Sequence, residues 1–145
     1  AAHFAAVARE CAKHGVAVWL IGSPKDTAAA AEIANLAPQA VNLCGRTSLA
    51  NAIDLLADAR LVVSNDSGLM HVAAGLDRPL IALYGSGSPT YTPPLSRQAH
   101  ILSLGIECSP CFKRECPLGH FRCMNDLEPD QVLRLIDFAG ILRTS

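Results

Sequence analysis

The sequence contains no long apolar run and no excess of either charge. The longest apolar stretch near the N-terminus, residues 16–21, is far too short to cross a bilayer, and Arg9, Lys13 and His14 interrupt what precedes it. We therefore expect neither a transmembrane segment nor a signal peptide. Twelve basic and thirteen acidic residues give a formal net charge of -1, without a long run of either sign. This balance argues against a nucleic-acid-binding surface and a polybasic membrane anchor, so an anionic ligand would have to be held locally.

The cysteines are unevenly distributed along a chain long enough for one globular domain. Half of its 145 residues are apolar, which suffices for an ordinary core, and we find no internal repeat or low-complexity linker. Cys11 and Cys44 lie inside apolar elements, whereas the other four cysteines crowd into residues 108–123. Disulfide-rich secreted scaffolds are much smaller than this chain, so the cysteine pattern favours a reducing, cytoplasmic compartment.

Short apolar runs alternate with helical patterns along the chain. Helices are predicted over residues 1–14, 26–36, 49–58, 67–75 and 128–142, and strands over 16–21, 40–43, 60–64, 79–84 and 99–104. Apolar strands separated by single helices are typical of a parallel sheet with helices on both faces. The predicted fold class is therefore α/β with right-handed crossovers, and ligands of such sheets bind at the carboxyl ends of the strands.

The stretch from Val63 to His71 is a strand that runs through a polar turn into an alanine-rich helix. The start of this helix would lie at the ligand-binding edge, where free N–H groups and the helix dipole attract phosphate. Gly68 would allow close approach of the backbone, Ser67 would add a hydroxyl donor, and His71 would reach the same anion. Asp66 would order the turn, or accept a hydrogen bond from a sugar or from His71. A helix capped by Asp66 or Ser67, with His71 half-buried in the core, explains the pattern equally well.

Further polar segments follow other predicted strands. In residues 22–26 the Asp26 carboxylate could accept both hydroxyls of a ribose, although a helix cap with a solvated Lys25 is the simpler explanation. In residues 44–48 backbone groups could bind an adenine edge, while Arg46 could face a phosphate or solvent. Residues 85–94 are rich in Gly, Ser, Thr and Pro and also follow a strand, so they belong to the same set of candidate ligand contacts.

Four cysteines and a histidine lie close together near the end of the sequence. Cys108, Cys111, Cys116 and Cys123 stand at C-x2-C-x4-C-x6-C spacing, with His120 among them. Such a set can bind zinc tetrahedrally, and the C-x2-C half is the stronger part of the pattern. The remaining spacing does not match a common zinc ribbon, and an iron–sulfur cluster, disulfides or free thiols remain alternatives. The same segment carries three cations that could cover a phosphate or face an anionic acceptor: Lys113, Arg114 and Arg122.

Two stretches carry a family resemblance. They are residues 43–95, LCGRTSLANAIDLLADARLVVSNDSGLMHVAAGLDRPLIALYGSGSPTYTPPL, and residues 108–123, CSPCFKRECPLGHFRC. Together they resemble the heptosyltransferases of lipopolysaccharide synthesis, glycosyltransferase family 9, over essentially the whole chain. The Asp-Ser-Gly-x-x-His turn at 66–71 is moderately specific for the family. The loop at 88–94 joined to the cysteines favours its type II members over types I and III.

The resemblance implies a GT-B enzyme with two Rossmann-like domains that face each other across a cleft. The C-terminal domain holds most of the donor, and residues 1–145 resemble that domain, including a cysteine-rich part at 105–126 and a last helix at 128–142. The implied reaction is inverting transfer of heptose from ADP-heptose to the inner core of lipopolysaccharide, without a cofactor, at the cytoplasmic face of the inner membrane. The implied donor-binding residues are Asp66, Ser67, Gly68 and His71 around the diphosphate and heptose, Asp26 on the ribose, and Thr47 near the adenine.

The sequence also departs from the family pattern. The C-terminal domain of the family begins with a further strand and a Gly-rich, Lys-containing segment, and this sequence has neither before its first helix. We therefore expect a sheet without its first strand and a donor site without that cation. We also expect no catalytic base here, because the base and the acceptor site belong to the other domain, so the chain alone would be inactive. A zinc-stabilised nucleotide-binding or interaction module without transfer activity is the alternative.

Overall fold

The computed structural model describes residues 1–142 as alternating helices and short strands. The helices are α1 (Ala2–Lys13), α2 (Thr27–Leu36), α3 (Leu49–Asp58), α4 (Gly68–Gly75), α5 (Arg122–Asn125) and α6 (Pro129–Phe138). The strands are β1 (Trp19–Leu20), β2 (Val41–Asn42), β3 (Val62–Asn65), β4 (Leu80–Tyr84) and β5 (Ala99–Ser103), and a short 3-10 turn covers Pro24–Asp26. No helix within the described range is both long enough and apolar enough to cross a membrane.

The chain divides into two compact units. The first unit comprises residues 1–55 and the C-terminal helix α6, and the second unit comprises residues 56–128. The boundary between the two units lies within helix α3.

Helix α1 is the centre of the first unit and packs against α2 and α6. Its buried residues are Ala5, Val7, Ala8 and Cys11. Helix α6 buries Val132 and Ile136 and covers Pro129–Phe138, which is shorter than the predicted range of 128–142. The helix ends early because Gly140, just beyond it, adopts a left-handed φ of 77°.

The first unit contains a short parallel sheet. Strand β1 pairs with β2, with Trp19 opposite Val41. Backbone hydrogen bonds continue beyond the strands on both sides, from the Val41 N–H to the Val18 carbonyl (2.8 Å) and from the Gly45 N–H to the Gly22 carbonyl (3.1 Å). The turns that follow β1 and β2 are therefore neighbours.

The second unit is built on a parallel sheet in the order β3-β4-β5, with all five residues of β4 buried. Helix α4 covers this sheet through a cluster that contains Met70, Leu80 and Tyr84, each fully buried. Each large apolar side chain buried in this way contributes roughly 1.5–3 kcal/mol relative to leaving it exposed. This packing fixes the start of α4 relative to the carboxyl ends of β3 and β4.

The observed elements confirm the α/β class and correct two expectations. The strands predicted over 16–21 and 40–43 are observed with two residues each, although backbone hydrogen bonds between the two segments continue on either side of them. The strands were also predicted to form one sheet, whereas the described residues form a two-stranded and a three-stranded sheet.

Candidate functional site

The carboxyl edge of the β3-β4-β5 sheet brings two of the predicted polar segments together. Asn65 at the end of β3 is opposite Leu83 of β4, and the Asp66 N–H donates to the Leu83 carbonyl at 3.1 Å. The turn at residues 66–67 and the loop at residues 85–94 therefore leave neighbouring parallel strands at the same edge. This is the edge at which open parallel sheets bind their ligands.

Ser67 caps helix α4. Its backbone is extended (φ -154°, ψ 168°), and its Oγ accepts from the Met70 N–H at 3.3 Å. The Ser64 hydroxyl donates to the Asn65 carbonyl at 2.8 Å, so the 3.2 Å contact between the two hydroxyls has Ser67 as donor. The N–H groups at the start of a helix have no intrahelical acceptor, and a Cβ on Gly68 would meet nothing within 4 Å. The helix start is thus both capped and open.

Asp66 and His71 face each other beside this helix start. The His71 Nε2 lies 3.9 Å from Asp66 Oδ1, and 43% of the His71 side chain is exposed. His71 is therefore not a core histidine, which removes that part of the alternative interpretation. The contact is too long for a hydrogen bond, and it becomes an ion pair when His71 is protonated.

Asp66 also holds the loop at residues 85–94. Its Oδ2 lies 3.4 Å from the Thr92 hydroxyl, whose one hydrogen it shares with the Ser88 carbonyl at 3.2 Å, and a Cβ on Gly87 would come within 2.5 Å of that oxygen. The Tyr84 hydroxyl donates to the Thr92 carbonyl. Burial and, to a smaller extent, the charge of Asp66 raise the pKa of Tyr84, so its phenol remains a donor at neutral pH. The loop at residues 85–94 is therefore in contact with the turn at residues 66–67, where Ser67 caps α4.

Sequence reasoning placed residues 85–94 at this edge, but it missed Tyr84 and the contacts of Gly87 and Thr92 with Asp66. Tyr84 is the last residue of a buried strand, and a buried tyrosine needs a hydrogen-bond partner, which was the available signal. Gly87 and Thr92 carry no local signal, because the residue that they contact, Asp66, is distant in sequence.

In the first unit, Ser23 caps the 3-10 turn at Pro24–Asp26, and Asp26 completes its capping box. Its Oδ2 accepts from the Ser23 N–H (2.8 Å) and the Ser23 hydroxyl (3.0 Å), while the Lys25 N–H donates to Ser23 Oγ. A Cβ on Gly22 would meet Asp26 Oδ2 at 2.9 Å, so the turn is closely packed. The expected helix cap is thus found on the short 3-10 turn, whereas the Asp26 side chain makes no cap hydrogen bond to α2. The capping box engages one of the two carboxylate oxygens.

Thr47 belongs to the neighbouring turn of the first unit. Gly45 has a φ of 70° and lies close to the turn at residues 22–26. A Cβ at Gly45 would come within 2.9 Å of Thr27 and 3.5 Å of Pro24. Arg46 is exposed, and its guanidinium donates to the Asn42 carbonyl at 3.4 Å. Burial and the charge of Asp26 raise the pKa of Cys44. Asp26 and Thr47 thus share the first unit, whereas Asp66, Ser67, Gly68 and His71 share the second.

The cysteine segment, residues 105–126, docks on the end of β4. The Ser109 hydroxyl donates to the Gly85 carbonyl, and the Phe112 N–H donates to the Ser86 carbonyl at 2.8 Å. The Phe112 ring meets the Tyr91 ring edge-on, with centroids 5.6 Å apart. The cysteine segment therefore contacts the same loop that Asp66 holds.

The four clustered cysteines and His120 line one cavity, together with Lys113 and Arg114. All four are free thiols, and among residues 1–142 no group of three or more His, Cys, Asp or Glu is placed to hold a metal ion. Burial, followed by the charges of the other three cysteines, raises the pKa of Cys123. Arg122, one of the three cations that could cover a phosphate or face an anionic acceptor, pairs with Asp126 at 2.8 Å.

Comparison with known proteins assigns the family. The sequence profile of glycosyltransferase family 9 (heptosyltransferase) matches residues 1–122. The chain belongs to this family. It is 44% identical over 142 residues to the lipooligosaccharide heptosyltransferase 2 of Haemophilus ducreyi, which covers 91% of this chain and 40% of that protein.

Two solved structures support the same assignment. The E. coli ADP-heptose lps heptosyltransferase II superposes with a TM-score of 0.81 and 39% identity, over 97% of this chain and 40% of that chain. The E. coli heptosyltransferase WaaC with ADP gives a TM-score of 0.72 and 25% identity, over 94% of this chain and 38% of that chain. These matches confirm the Rossmann-like GT-B fold class. This family 9 chain spans about two fifths of the length of the relatives it matches.

Proposed function

We propose that this chain is the donor-binding part of an inverting heptosyltransferase that moves heptose from ADP-heptose to the inner core of lipopolysaccharide. The observation that carries the proposal is the capped, open start of α4 at the carboxyl edge of the sheet, beside an exposed His71. The names of the relatives support heptose transfer, and the heptosyltransferase 2 proteins among them favour the type II activity. The solved E. coli heptosyltransferase WaaC with ADP, to which the chain is similar, supports ADP as the leaving group.

In this proposal the diphosphate binds at the start of α4. The N–H groups of Gly68 and Leu69 point out of the helix and donate to phosphate oxygens, and the helix dipole adds attraction. The Nε2 of His71 would donate to a phosphate oxygen, while Asp66 orders the turn and contacts Thr92 of the neighbouring loop.

The transfer step needs a general base that lies outside this chain. An acceptor hydroxyl loses its proton to that base and attacks the anomeric carbon of the donor, and the bond from that carbon to the β-phosphate oxygen breaks as ADP leaves. Negative charge then grows on the diphosphate at the start of α4. Donors fixed in advance at such a position stabilise the transition state without reorganising, which is usually the largest single contribution to catalysis. No cofactor is needed for this chemistry.

The remaining assignments follow the resemblance. Asp26 would bind the ribose with the oxygen that Ser23 does not engage, and the Thr47 backbone would lie near the adenine. The lipopolysaccharide acceptor would bind a domain outside this chain, in the cytoplasm at the inner face of the membrane. The six free cysteines support a reducing compartment.

Calorimetric titration of the chain with ADP tests the proposal. We expect saturable binding that His71→Ala weakens about 10–100-fold, because the charged hydrogen bond it removes is worth roughly 1.5–3 kcal/mol. His14→Ala is the matched control, since 42% of the His14 side chain is exposed and its Nε2 lies 3.4 Å from Glu10. That variant should bind ADP as the unmodified chain does. Absence of binding by a chain that is folded by circular dichroism, or equal losses in both variants, would refute the proposal.

A further inference from the structure

The cysteine segment is held in an unusual backbone conformation. Phe112 and Phe121 both adopt a left-handed backbone, with φ of 59° and 49°, which is unfavourable for bulky residues. Gly85 makes room for the segment, because a Cβ there would come within 2.6 Å of Met124 and 3.3 Å of the Cys123 Sγ. Unfavourable backbone of this kind persists only where the surroundings enforce it. The packing of the cysteine segment against Gly85 therefore holds this backbone in place.

The backbone conformation of the cysteine segment places its four thiols around one cavity. The four cysteines come from two turns and the start of α5, yet all four line one cavity, together with His120. The second turn is closed by a hydrogen bond from the Gly119 N–H to the Cys116 carbonyl at 3.0 Å, with Gly119 at a φ of 73°. The Cys116 Sγ lies 3.9 Å from the His120 Nδ1, so the histidine is also next to the thiols.

The charges around the cavity match a metal thiolate centre. Four thiolates on one divalent cation carry a net charge of -2, which is costly to hold next to apolar groups. Lys113 and Arg114 line the same cavity, and they provide two positive charges. A pair of disulfides would be neutral and would not need these cations.

We propose that Cys108, Cys111, Cys116 and Cys123 form a structural site for a single Zn²⁺. As they stand, no three metal-binding side chains of the described residues are placed to hold an ion, so binding requires the thiols to turn inward. A cysteine side chain can do this by changing one torsion angle between staggered positions, without refolding the backbone. Each thiol releases its proton to solvent as it binds, and the ion then fixes the cysteine segment on Gly85 and Ser86. The proposal is independent of ADP binding.

Metal analysis of the purified chain, with Co²⁺ as a spectroscopic probe, tests this site. We expect one zinc per chain, and in the cobalt form strong thiolate-to-cobalt charge-transfer absorption with tetrahedral visible bands. Cys116→Ala should weaken zinc binding by more than the roughly 10–100-fold that the loss of an outer partner costs. Cys11→Ala is the control, because that buried thiol lies on α1 in the first unit and should leave the metal affinity unchanged.

Several results would overturn the site. A folded chain that binds no zinc, a cobalt spectrum without thiolate charge transfer, or iron and sulfide in place of zinc would each do so. So would an intact mass reduced by the hydrogens lost in disulfide formation, or an equal loss of affinity in the two variants. If Cys116→Ala does not fold, the cobalt spectrum of the unmodified chain decides alone, since its charge-transfer bands require bound thiolates.

Discussion

Leu80→Ala is expected to lower the free energy of unfolding by about 2–5 kcal/mol, the range measured for removing a buried leucine side chain from a packed core. Leu80 is fully buried on the central strand β4, in the same cluster as Met70 and Tyr84. Strands β3 and β5 lie on either side of it and α4 residues of the same cluster pack over the sheet, so these neighbours limit how far the cavity can close. Because domains have only about 5–15 kcal/mol of stability, this single change should be plainly visible.

Urea unfolding followed by circular dichroism measures this effect. Leu95→Ala is the matched control, because it removes the same atoms from a side chain that is 84% exposed in the same unit. Its effect should stay within about 0.5 kcal/mol, as for most surface substitutions. Similar losses in the two variants would mean that the second unit is not packed around β4.

Local sequence patterns predicted the helices more accurately than the strands. Helix α3 was predicted over 49–58 and is observed over Leu49–Asp58, because its apolar period and its cap are both local. The Asn51 N–H donates to Ser48 Oγ at 3.1 Å, three residues away. By contrast, the extents of β1 and β2 depend on pairing between residues about 22 positions apart, which periodicity does not encode.

The candidate site shows the same division between local and distant contacts. The turn at 66–71 was recognisable because strand, cap and helix are adjacent in sequence. The contacts of Asp66 with Gly87 and Thr92 were not, because they join residues more than 20 positions apart through a loop without periodicity. The resemblance to family 9 supplied the chemistry of a nucleotide sugar, which no local pattern contains.

The cap and the proposed anion site share the same residue, which makes Ser67 the most informative position for substitution. Ser67→Asp is expected to keep the fold, since aspartate caps a helix as well as serine does. It also places a carboxylate where we propose that the diphosphate binds. At an effective dielectric of about 20, two unit charges about 4 Å apart repel by roughly 4 kcal/mol, so ADP affinity should fall at least about 100-fold.

A comparison with Ser67→Asn separates the effect of the added charge on ADP binding from the effect of helix capping. Asparagine has nearly the same shape as aspartate and caps equally well, so both variants should keep their free energy of unfolding within about 1 kcal/mol of the unmodified chain. The asparagine variant should bind ADP within roughly tenfold of the unmodified chain, because it adds no charge that opposes the diphosphate. Calorimetric titration of the two variants side by side measures the difference. If they bind ADP equally, the start of α4 serves only as a capped helix end and the diphosphate binds elsewhere; a large gap between them assigns the anion to this turn.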